Sequence, residues 1–80
     1  MSEQETNVLI GQRLKWLRKA AKVTQTQAGA HLWLVKDVIA RMEAGQQRIT
    51  LYRLKLLAEL YGVPWGFVLD DEHWEGVNGD

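Results

Sequence analysis

Eighty residues make one small domain, and a chain of that size buries only roughly 60% of the surface it exposes when unfolded, so its margin of stability is thin. It has no cysteine, which excludes disulfides and thiolate metal sites and suits a reducing compartment. The net charge is zero, yet all ten Lys and Arg lie between Arg13 and Lys55, and residues 7–69 set those ten cations against only Asp37, Glu43 and Glu59, a net of +7.

The other seven acids, Glu3, Glu5, Asp70, Asp71, Glu72, Glu75 and Asp80, sit at the two ends. A concentrated positive field attracts polyanions. The polar, acidic N-terminus has neither the basic start nor the apolar middle of a signal peptide. The longest apolar runs, Leu32–Val35 and Phe67–Leu69, fall far short of the ~20 residues a membrane span needs. The chain therefore reads as soluble and cytoplasmic, with no membrane partner.

The first periodic segment runs from about Asn7 to Ala21. Ile10, Leu14, Leu17 and Ala21 recur at helical steps and mark its inner face. A second, short helix starts after Thr24, where Thr24 and Gln27 form a capping-box signature; Ala28 and Leu32 face inward. Gly29 weakens that helix, and close approach by another helix would explain it. A third helix runs from Val35 or Lys36 to Ala44, with Ile39 and Met42 inside and Gly45 at the left-handed position that ends it. A fourth follows Thr50, with Leu51, Leu54, Leu57, Ala58 and Tyr61 as its apolar face and Gly62 as its stop. A fifth short helix follows Pro64 and carries Trp65, Val68 and Leu69. No strand pattern is present. The expected fold is all-α: five helices over residues 7–69, then an acidic C-terminal tail over 70–80.

Helices two and three carry the functional signal. Two short helices joined by about three residues, with a small residue at their crossing and an apolar anchor on each, make a helix-turn-helix. The ordered set Ile10-Gly11-Gln12-Arg13-Leu14, Leu17-Arg18, Thr24-Gln25, Ile39, Arg41-Met42-Glu43, Gly45, Leu51, Leu54, Leu57-Ala58-Glu59 and Gly62-Val63 resembles the phage-repressor (Xre/Cro-like, lambda-repressor-like) helix-turn-helix family. The resemblance covers about three-quarters of the chain in one ungapped register.

That resemblance implies a five-helix domain that binds operator DNA as a homodimer. It implies a sequence-specific transcriptional regulator, a repressor from a phage, mobile element or bacterial chromosome, reading a near-palindromic duplex site. Lys36, Asp37, Val38 and Arg41 match the positions that face the major groove. Arg13, Gln25, Gln46, Gln47 and Arg48 match positions near backbone phosphates. Arg18 and Glu43 match a structural ion pair between helices one and three. The dimer contact falls on Trp65, Phe67, Val68 and Leu69.

Three departures stand out. Trp33 occupies the turn where the family usually has Gly, Val35 occupies the cap position usually held by Ser or Thr, and Val38 and Ala40 cannot donate hydrogen bonds to bases. These departures keep a second reading open: an antitoxin- or anti-repressor-type module that grips a protein through Trp33, Trp74 and the acidic tail. Asp37 also fits an intrahelical pair with Arg41. His31 and His73 lack companions at metal spacing, and no nucleophile–base set or phosphate loop occurs. Neither a metal, a cofactor nor an enzymatic activity is expected.

Overall fold

In the computed structural model, which describes residues 1–75, the chain forms six α-helices and, among the described residues, no strand. Helix α1 (Glu3–Ala20) begins four residues earlier than the apolar periodicity suggests. Ser2 and Glu5 close a reciprocal capping box, the Glu5 N–H donating to Ser2 Oγ at 3.1 Å and the Ser2 N–H to Glu5 Oε1 at 3.2 Å. The backbone N–H of Ser2 holds the Glu5 carboxyl below its ordinary range. Leu14 and Leu17 are buried on the inner face, whereas Ala21 lies past the helix end and is exposed.

Helix α2 (Gln25–His31) is capped by the Thr24–Gln27 box read from the sequence, at 3.0 and 2.9 Å. Helix α3 (Lys36–Glu43) buries Ile39 and Met42 and has no side-chain cap, because Val35 offers no acceptor. Helix α4 (Leu51–Leu60) starts from Thr50, whose hydroxyl accepts from the Arg53 N–H. It buries Leu54, Leu57 and Ala58, with Tyr61 just beyond its end. Leu51, expected on that face, is half exposed. Helix α5 (Trp65–Leu69) follows Pro64.

Four helices end in the same way. Val23, Leu34, Gln46 and Val63 each donate back five residues, to the carbonyls of Arg18, Gly29, Arg41 and Ala58. This closure requires one left-handed residue per turn. The residues are Lys22, Trp33, Gly45 and Gly62, with φ of 59°, 60°, 75° and 81°. Glycine takes this conformation freely; a side chain there costs roughly 1–2 kcal/mol. The turn between α2 and α3 has thus kept the left-handed geometry and accepted the strain of Trp33.

Two glycines hold the helices close. A Cβ on Gly29 would meet the Leu34 carbonyl at 2.6 Å, so the chain leaving α2 folds tightly back over it. A Cβ on Gly11 would collide with the Met42 carbonyl, so α1 and α3 touch backbone to backbone. Around these crossings the core comprises Leu14, Leu17, Ala28, Ile39, Met42, Leu54, Leu57, Ala58, Tyr61, Val68 and Trp74.

Trp74 corrects the reading of residues from 70 onward as a tail. Residues 71–74 form helix α6 (Asp71–Trp74), with Asp70 accepting from the Glu72 N–H at 3.1 Å. The Trp74 indole N–H donates to the Phe67 carbonyl at 2.9 Å, and its ring packs edge-on against Trp16 and Phe67. A buried indole satisfied at its one polar atom outweighs the cost of ordering a few acidic residues. The part of the expected tail from 76 to 80 lies outside the described residues.

Candidate nucleic-acid interface

Helix α3 is held from one side and free on the other. Ile39, Met42 and Glu43 face the body, whereas Lys36, Asp37 and Arg41 are exposed. The four residues expected to read bases therefore divide. Lys36, Asp37 and Arg41 share the open surface; Val38 is half-buried and packs against the core, leaving little of it to meet a ligand. Arg41 Nε donates to Gln47 Oε1 at 3.2 Å, which ties the end of α3 to the loop that follows.

The expected ion pair sets the orientation of this helix. Arg18 Nε and Nη2 donate to the two Glu43 oxygens at 2.6 and 3.1 Å, and both residues are buried. Arg18 Nη1 also donates to the Val23 carbonyl at 3.0 Å. The bonded carboxylate holds the Arg18 guanidinium more firmly charged than usual. Nearby, the Tyr61 hydroxyl is buried and, among the described residues, has no hydrogen-bond partner; burial pushes its pKa up. One pair thus connects α1, α3 and the turn after α1.

The expected phosphate-contacting residues are not one set. Gln46 and Arg48 are exposed in the loop after α3, and Gln47 is half-buried beside them. Arg48 lies 3.8 Å from Glu3, both largely exposed, an arrangement of little energetic consequence. The Gln25 side chain is half-buried and donates to Glu43 Oε1 at 3.1 Å, so it braces the ion pair. Arg13 departs altogether from the expected role. It is buried, donating to the Val68 carbonyl at 2.8 Å and to Asp71 at 2.6 Å, with its guanidinium 5.6 Å from the centre of the Trp74 ring. A cation locked to the C-terminal helix has no free face for a phosphate.

Two cations that sequence reasoning passed over lie in a better place. Lys19 and Lys22 line an open recess of about 540 Å³ with Lys36, Thr24, Gln25 and Thr26. The left-handed turn at Lys22 brings the end of α1 beside the start of α3, which spacing along a helix does not reveal.

The expected dimer patch also divides. Trp65 and Leu69 are each 42% exposed and Phe67 is half-buried, but Val68 is fully enclosed and belongs to the core. Its side chain points inward because α5 is only five residues long and uses that position as its anchor. Lys55 Nζ sits 5.1 Å from the centre of the Trp65 ring. Of the residues named for a protein partner, Trp33 is 94% exposed and Trp74 is buried, so the two cannot form one gripping surface.

Two short helices joined by a four-residue turn that folds tightly over Gly29, with the second helix facing outward, match a recurrent architecture. The sequence model of the family described as "Helix-turn-helix domain" matches residues 9–66, well over half of the chain. The chain belongs to that family. No curated protein matches it closely enough to add a relative. As a helix-turn-helix domain it is of the DNA-binding regulator type, a class that is typically non-enzymatic. Among the described residues no group of three or more His, Cys, Asp or Glu is arranged to hold a metal, and no helix is long and apolar enough to cross a membrane.

Proposed function

We propose that this protein is a sequence-specific transcriptional regulator of the phage-repressor type, acting as a homodimeric repressor. The second helix of the helix-turn-helix, α3, enters the major groove of a near-palindromic operator. The observation that carries this reading is the exposed Lys36–Asp37–Arg41 surface on a helix whose other side is fixed by Ile39, Met42 and the Arg18–Glu43 pair. Arg41 or Lys36 donates to guanine O6 and N7, and Asp37 accepts from cytosine N4. Lys19 and Lys22, with Gln46, Gln47 and Arg48, meet the phosphates on either side. The half-exposed Trp65 and Leu69 supply the apolar part of the dimer contact. Two recognition helices then fall about 34 Å apart along the duplex.

Selection of bound sequences from a random duplex pool tests binding, specificity and half-site spacing together. The expected product is an inverted repeat, bound with an affinity that falls steeply as salt rises. Arg41→Ala should weaken binding to the selected site by about 1–3 kcal/mol and relax preference at one base position. A pool from which nothing is enriched, with no duplex binding even at low salt, would reject the reading. The protein-binding alternative keeps one supporting observation, the bare Trp33, and would then take precedence.

A further inference from the structure

The turn between α2 and α3 holds a residue that the fold itself gives reason to avoid. Trp33 sits at φ 60°, in the left-handed conformation that the closure of α2 imposes. It is 94% exposed. The other three tryptophans each pack against a ring or a cation: Trp16 against Trp74, Trp74 against Phe67, Trp65 under Lys55. Among the described residues, Trp33 is in no such contact. A glycine would relieve the strain and remove the exposed aromatic surface at once, so nothing in the stability of the fold accounts for the indole. Strain held at an exposed position is a reason to look for a ligand there.

Position decides which ligand. Trp33 lies three residues before Lys36, at the mouth of the helix whose open face carries Lys36, Asp37 and Arg41. Val35, the intervening cap residue, is 68% exposed and equally unpartnered by a cap bond. The cationic recess lined by Lys19, Lys22 and Lys36 adjoins the same helix start. An aromatic side chain at the threshold of a cationic reading surface suits a nucleic-acid strand, whose sugars present apolar faces and whose phosphates accept from N–H groups.

We infer that Trp33 is a DNA-contacting residue: the indole lies against a deoxyribose on the wall of the groove that α3 enters, and its Nε1–H donates to the adjoining phosphate. This rests on the DNA-binding reading above and assigns a contact that reading does not use. The contact is insensitive to sequence, because every nucleotide offers the same sugar and phosphate. It also adds no cation to the interface, so it displaces no counterion.

The test compares wild-type protein with Trp33→Gly on the duplex selected from the random pool and on an unrelated duplex, at two salt concentrations. Trp33→Gly should raise the thermal midpoint by about 5 °C, since strain is removed, while binding both duplexes about tenfold more weakly. Opposite changes in stability and affinity exclude misfolding as the cause. The loss should be the same factor at both salt concentrations, whereas Lys36→Ala should also flatten the salt dependence. A Trp33→Gly protein that binds as tightly as wild type, beside a wild type that does bind, overturns this contact alone and hands Trp33 to a protein partner. A wild-type protein that binds neither duplex overturns the DNA-binding reading and this inference with it.

Discussion

Arg18 and Glu43 illustrate how a single residue pair can matter more for direction than for stability. Taking both charges out of water costs nearly as much as their attraction returns. What the pair provides is a fixed angle between α1 and α3, reinforced by Gln25 on Glu43 and by the Val23 carbonyl on Arg18. Tyr61 beside it has no such compensation, since its hydroxyl is buried with no partner among the described residues. Tyr61→Phe should therefore stabilise the protein by about 1 kcal/mol, because removing an unsatisfied polar atom while keeping the ring loses nothing. The pH dependence follows from the raised pKa. In the folded state the hydroxyl stays protonated above its ordinary value near 10, so the unfolded chain holds fewer protons there and stability falls as pH climbs past that value. Urea unfolding at pH 7 and above pH 10 should show Tyr61→Phe more stable at both and less sensitive to the alkaline change. Equal stability of the two proteins at pH 7 would mean the hydroxyl is satisfied in solution.

Among the elements, capping was legible where side chain and periodicity agreed. Thr24 and Gln27 precede an apolar pattern, and their box formed as read. Ser2 and Glu5 carry the same signature at the same spacing, but the polar turn they open gave no apolar period to anchor it, so α1 began earlier than the pattern implied. Helix α3 is the reverse case, a helix formed despite its cap. Val35 leaves its first-turn N–H groups without a side-chain acceptor. The helix persists because Ile39 and Met42 are almost completely buried, and tertiary packing outweighs a missing cap. Val35→Ser should add about 1 kcal/mol by supplying the oxygen. Because Val35 is largely exposed, little packing is lost in exchange. A higher midpoint by calorimetry is the expected outcome, and no change would show that the N–H groups are adequately served by water.

At the scale of the whole molecule, the hidden feature is how the chain's acidic end returns to its basic body. Charge layout placed Asp71 in an acidic tail, and the family resemblance placed Arg13 beside a phosphate; in the structure they meet each other at 2.6 Å. Neither assignment was recoverable from spacing, since 58 positions separate the two, and only the docking of Trp74 brings them together. The five-helix core, by contrast, was readable because each helix carries its own apolar period, set by residues three and four apart, and those residues are the ones buried. This organisation makes a prediction opposite to that of a loose tail. If the end were merely a charged string, Trp74→Ala would leave stability unchanged. With the indole enclosed against Trp16 and Phe67 and bonded to the Phe67 carbonyl, the substitution should cost roughly 3 kcal/mol, a large share of what so small a domain possesses. Asp71→Asn should cost less, about 1 kcal/mol or under, because the carboxylate is largely exposed and screened while Arg13 keeps its bond to the Val68 carbonyl. Chemical unfolding of the two variants separates aromatic docking from charge pairing. The ordering is the decisive point: an Asp71→Asn loss larger than that of Trp74→Ala would mean that the end is held by its charge, and the ring only follows.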